Sequence, residues 1–154
     1  MWAAESGHSL LFRGLQAILA PATIVSMVEH TITFRIRYPE ADPMGYVHHS
    51  RYLQFFEMGR IELLRATGMS YARLEQEGVF FVVVKAEVRY KAPARFDDEL
   101  TLTTRISRQT TVRIEHAYEL KRGSILVAEG NTTIACVDRN GELQQIPESL
   151  AEQS

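Results

Sequence analysis

The sequence predicts an α+β domain in which one curved antiparallel sheet wraps a single long apolar helix. Three observations carry this. An alternating segment comes first, a long apolar helical segment and a short helical one follow, and the remainder alternates as further strands. The long helix is too apolar to stand alone and needs a sheet to cover it. The later strands are joined by turns of hairpin length, which makes their pairing antiparallel.

Taken in order, Thr31 to Tyr38 places Ile32, Phe34, Ile36 and Tyr38 on one face and Thr33, Arg35 and Arg37 on the other; Pro39 ends the strand. From Arg51 onward, Tyr52, Phe55, Phe56, Gly59 and Leu63 recur at helical spacing, and Leu53, Ile61 and Leu64 widen the stripe. Ser50 is placed to cap this helix, Glu57–Arg60 and Glu62–Arg65 to pair along its surface, and Gly68 to end it. A short helix over Ser70 to about Glu77 is closed by Gly78. Val82, Val84, Ala86, Val88 and Tyr90 then alternate with Val83, Lys85, Glu87, Arg89 and Lys91, until Pro93 and Asp97-Asp98 break the run. Leu100 to Ile106, Val112 to Leu120 and Ile125 to Val137 read as three more strands, and Asn140-Gly141 as a type I′ turn into a short last strand through Ile146. Arg35, Arg37, Lys85, Arg89 and Arg105 fall on the solvent face of the sheet.

At 154 residues, 45% hydrophobic and 23% charged, the chain has the composition of one globular domain. We expect that domain over residues 27–154, with residues 1–26 as an N-terminal extension that lacks a basic leader. A net charge of −2 offers no footprint for nucleic acid, and no run of residues is apolar enough to span a membrane. The single Cys136 lies in an apolar run, which excludes an intrachain disulfide and points to a buried thiol in a reducing, cytoplasmic compartment.

The chemistry concentrates in Asp42-Pro43-Met44-Gly45-Tyr46-Val47-His48-His49-Ser50. It sets a carboxylate and two imidazoles before the start of the long helix, where free N–H groups and the helix dipole suit a developing oxyanion. From spacing alone Asp42 is a turn former or a catalytic carboxylate, and His48 and His49 belong to a surface loop. No third metal ligand accompanies the histidines, so no metal is expected; Ser50 lacks a nucleophile elbow, and neither a Walker loop nor a dinucleotide fingerprint is present.

From about His30 to Pro147 the chain resembles the hotdog-fold acyl-CoA thioesterases of the 4-hydroxybenzoyl-CoA thioesterase family. The resemblance rests on Arg37-Tyr38-x-x-x-Asp42-Pro43-x-Gly45-x-Val47-x-His49-x-x-Tyr52, on Phe55-Phe56-Glu57, and on Tyr90-x-x-Pro93-x-x-x-Asp97-Asp98-Glu99-Leu100. It implies hydrolysis of a CoA thioester to a free acid and CoA without a cofactor. Asp42 then corresponds to the general base or nucleophile, the His49 amide to the oxyanion donor, and Tyr38 and the His49 ring to flanking catalytic groups. Gly45 and Val47 fall to the substrate side. Arg89, Lys91, Arg95 and Arg108 are candidate cations for the CoA phosphates, Arg108 first among them. His48 stands where relatives often carry an aromatic residue, which bears on the acyl pocket. Glu57 and Glu87 are alternative carboxylates. The resemblance also implies a homodimer or homotetramer with sites between subunits. The rival readings are an aryl-CoA hydrolase of the hydroxybenzoyl or hydroxynaphthoyl type and a non-catalytic hotdog protein that binds acyl-CoA or an acyl carrier.

Overall fold

The computed structural model describes residues 28–151; the expected extension over residues 1–26 and its boundary lie outside them. Five strands form one antiparallel sheet: β1 Glu29–Arg35, β2 Phe80–Tyr90, β3 Glu99–Gln109, β4 Arg113–Arg122 and β5 Ile125–Val137. Their order is β1-β3-β4-β5-β2, so β1 and β2 are the edges. Helix α1, Arg51–Ala66, lies along the inner face, α2, Tyr71–Gln76, follows it, and one helical turn, α3, Glu148–Ala151, closes the described chain. This is the hotdog arrangement that the sequence pattern and the family resemblance predict.

The predicted stripe of α1 is the buried one: Tyr52, Phe55, Phe56, Gly59 and Leu63 face the sheet, while Leu53 is exposed. They meet residues that the strand register sets on one side, among them Leu100 opposite Phe34, Leu102 opposite Ile32, and Leu120 opposite Ala128. Each such fully buried large side chain contributes about 1.5–3 kcal/mol. Two glycines permit the close approach. A Cβ on Gly59 would lie 2.3 Å from the Thr104 hydroxyl, and one on Gly130 would lie 2.4 Å from both the Phe56 ring and the Glu87 carbonyl. With Gly130 bare, Phe56 stacks flat on Tyr118 at 4.2 Å between centroids.

Several local expectations are corrected. β1 ends at Arg35, and Tyr38 begins a 3₁₀ turn, Tyr38–Glu40, because Pro39 cannot continue the strand and Glu40 draws the chain round. The buried Glu40 carboxylate accepts the Arg37 N–H at 2.7 Å and the Arg37 guanidinium at 2.7 and 2.9 Å. Ser50 makes no capping bond; its hydroxyl pairs with His48 Nδ1 at 2.8 Å. Glu62 does pair with Arg65, but Arg60 turns inward, where Glu57 acts on it through its charge without a close ion pair, and donates to the Tyr118 hydroxyl at 3.3 Å. A bulge between Val83 and Lys85 resets β2, so Phe81 and Val83 share the inner side with Ala86, Val88 and Tyr90, and the simple alternation fails. After β5 there is no last strand, only a bridge between Val137 and Leu143. That turn is not type I′, since Gly141 has positive φ and Asn140 does not; the Asp138 carboxylate accepts the Asn140 and Glu142 N–H groups instead. Cys136 is fully buried, and burial raises its thiol pKa.

Candidate active site

The loop between the 3₁₀ turn and α1 is tied at several points. Ala41 bridges Val47, and Asp42 donates its N–H to the Tyr46 carbonyl at 2.7 Å. Gly45, at φ +80°, donates to the Asp42 carbonyl at 2.8 Å, a left-handed geometry that a side chain would strain. Asp42 Oδ1 accepts the N–H of Met44 at 2.9 Å and of Tyr46 at 3.2 Å, while Oδ2 accepts no hydrogen bond from a described residue. One oxygen holds the turn and the other is uncommitted among the described residues. The turn reading and the catalytic reading of this aspartate are therefore compatible.

The same loop is seated on the bend after β2. Val47 is buried and donates its N–H to the Ala94 carbonyl at 2.8 Å, and Tyr46 bridges Arg95. The second sequence motif builds that bend: Asp98 Oδ2 accepts the Arg95 N–H and the Arg122 guanidinium, both at 2.8 Å, and Asp97 adopts φ +68°. Partial burial alone would raise the Asp98 pKa, but Arg122 and the Arg95 N–H outweigh it and hold the carboxyl below its ordinary range.

At the start of α1, the His48 carbonyl accepts the Arg51 N–H at 2.9 Å. In a trans peptide the His49 N–H points opposite to that carbonyl, away from the helix, and it has no hydrogen-bond partner among the described residues. The His49 carbonyl accepts the Tyr90 hydroxyl at 3.0 Å, and the His49 ring lies 4.1 Å from that of His48. Asp42, Tyr46, Val47, His49, Tyr52, Tyr90, Lys91, Ala92 and Pro93 line one open cleft of about 370 Å³. Burial, and then the neighbouring Tyr90, raise the Tyr52 pKa, so this wall presents a neutral phenol.

Of the predicted site residues, Asp42, Val47, His49 and Lys91 are brought together on the cleft, and Arg95 stands beside it with its guanidinium 4.7 Å from the Tyr46 ring. Gly45 shapes the turn but forms no wall. Tyr38 is 77% exposed and packs edge-on against Phe96 at 5.4 Å, outside the cleft walls. Arg89 points to the outer face of the sheet, paired with Glu87 at 2.8 Å. Arg108 lies 3.8 Å from Glu115 near the far end of β3, nine residues and so roughly 30 Å of strand beyond Glu99. Glu57 and Glu87 do not line the cleft. Sequence reasoning missed Glu40 and Tyr90. The first is foreshadowed by the Arg37-x-x-Glu40 spacing around Pro39; the second closes the inward-facing series of β2. No group of three or more described His, Cys, Asp or Glu residues is placed to hold a metal.

Residues 36–154 match the model of the thioesterase-like superfamily. The chain belongs to that superfamily. Acyl-CoA thioester hydrolase YbgC of Escherichia coli O6:H1 is 35% identical over 105 residues, covering 68% of this chain and 78% of the relative. Acyl-CoA thioesterase YbgC of Haemophilus influenzae is 32% identical over 115 residues, 73% of this chain and 85% of the relative. Among solved structures, a probable thioesterase from Bartonella henselae is 35% identical, covers 77% of this chain and 99% of its own, and superposes with a TM-score of 0.74. This superfamily member also shares its fold with the DHNA-CoA thioesterase of Staphylococcus aureus, at 22% identity and a TM-score of 0.77 over 80% of this chain and 89% of that one.

Proposed function

We propose that the protein hydrolyses an acyl-CoA thioester to the free acid and CoA at the Asp42–His49 cleft. The single observation that carries this is the pair of uncommitted groups on one cleft: Asp42 Oδ2, held by its sister oxygen, and the His49 N–H at the start of α1. The thioester carbonyl oxygen accepts the His49 N–H, where the helix dipole adds to the polarisation. Asp42 either attacks the carbonyl carbon or takes a proton from the attacking water, and CoA leaves as a thiolate without a strong general acid. The reaction consumes water and uses no cofactor. Lys91 and Arg95 are the cations nearest the cleft for the CoA phosphates. A panel of acyl-CoA esters with thiol release as readout tests the reading. Release by the parent that is lost in Asp42→Asn is expected, whereas tight acyl-CoA binding without release by the parent identifies a binding protein instead.

The cleft walls bear on the acyl group. Tyr46, Tyr52 and Tyr90 line the cleft, and aromatic walls favour a flat aryl group by stacking. A higher kcat/KM on aromatic than on short aliphatic CoA esters is the expected result.

A homodimer or homotetramer belongs to the same proposal. β2 is a long edge strand whose Val82, Val83 and Val84 are 44, 52 and 52% exposed, the kind of edge that pairs with another strand. Native mass spectrometry should find the parent as a dimer or larger and Val83→Lys shifted toward monomer; a monomeric parent overturns this part. A cytoplasmic location, supported by the lone buried Cys136, completes the proposal.

A further inference from the structure

We infer that Tyr90 is a positioning residue, which aims the His49 N–H from the far side of the cleft; the inference rests on the Asp42–His49 reading above. Two peptide planes meet at the His49 Cα. The one carrying the His49 N–H is held through the His48 carbonyl by the Arg51 N–H at 2.9 Å. The next is held through the His49 carbonyl by the Tyr90 hydroxyl at 3.0 Å. With both planes pinned, the two backbone torsions of His49 are fixed and the N–H has one direction. Without Tyr90 the second plane is left to the Ser50 N–H contact with His48 Nδ1 at 3.3 Å, which moves with the same turn.

Tyr90 is suited to this task. Among the described residues its bond to His49, across 41 positions of sequence, is the one hydrogen bond joining the His48–Ser50 turn to the sheet. Its ring is set by edge-on contact with the buried Tyr52, centroids 4.9 Å apart and planes at 83°, and its backbone by the register Tyr90–Ala128. The phenol therefore approaches the turn from a strand and a packed ring, both stiffer than a loop. An oxyanion donor acts only if it already points to where charge develops, and removing one outright costs about 10²–10³ in kcat. Misaiming it costs part of that.

Tyr90→Phe removes the hydroxyl and keeps the ring on Tyr52. We expect kcat to fall about 10- to 100-fold, KM to stay within about twofold, and thermal stability and oligomeric state to match the parent. An unchanged kcat, or a loss confined to KM as for a substrate contact, overturns the inference. The parent and Asp42→Asn are assayed alongside. If the parent releases no thiol from any ester, it is the thioesterase reading that fails. Amide hydrogen exchange over residues 47–53 then decides the positioning role by itself: faster exchange in Tyr90→Phe sustains it, and unchanged exchange refutes it.

Discussion

Two polar clusters meet the same helix and are finished in opposite ways. At the start of α1, Asp42 Oδ2 and the His49 N–H are left without partners among the described residues, on an open cleft. In its second half Arg60, 8% exposed, reaches the Tyr118 hydroxyl, which meets Thr132 at 2.6 Å, while His116 lies beside them at 4% exposure with Nδ1 unpaired among the described residues. The buried cluster has the perturbed titration: burial first, and the Arg60 charge second, push His116 down to about 3. A strongly shifted pKa commonly flags a functional site. Here it marks a packing cluster beneath the helix, and the arrangement proposed to be reactive stands out instead by free valences at a surface cleft.

The comparison breaks most sharply at Asp42. Asp42→Asn keeps an oxygen to accept the Met44 and Tyr46 N–H groups but removes the negative charge, so kcat should fall by about 10²–10⁴ with little loss of thermal stability. A variant that loses its fold along with its activity would make Asp42 a turn residue only. Beneath the helix the expectation reverses. Gly130→Ala drives a Cβ into the Phe56 ring and the Glu87 carbonyl, which should destabilise by about 1–3 kcal/mol in a denaturant titration. Activity per folded molecule should survive, because Gly130 lies off the cleft.

The sequence made the α1 stripe, the strand order along the chain and the Asp42 loop legible, because each is a local pattern of spacing or turn residues. What it concealed depends on partners distant in sequence. Arg60 reads as a surface ion pair with Glu57 until β4 brings Tyr118 beneath it. Arg108 reads as a cation near a strand end, but only the register sets it at the far end of β3. The β2 bulge follows from pairing with β5 and leaves no mark in the alternation of the valines. Tyr90 is a motif letter in the sequence and acquires a task only when its hydroxyl meets a carbonyl 41 residues away.

A change of pH also separates the clusters. His116 is neutral in the folded protein down to about 3, whereas an unfolded chain protonates a histidine near its ordinary 6.5. As pH falls below 6.5, the unfolded state takes up a proton that the native state refuses. Stability then drops by at most about 1.4 kcal/mol per pH unit until about pH 3, and the group contributes no pH dependence above 6.5. Arg60 faces His116 with a like charge, and Tyr118 and Thr132, which pack around it, supply no anion over this range. His116→Phe keeps a ring in the cavity and removes the proton site. Its stability plotted against pH should therefore run flatter than the parent's between 6.5 and 4, while the two curves run parallel above 7. Equal slopes on the acid side would mean that the buried imidazole already finds a proton-compatible partner in the folded state, and that the two clusters differ less than their geometry says.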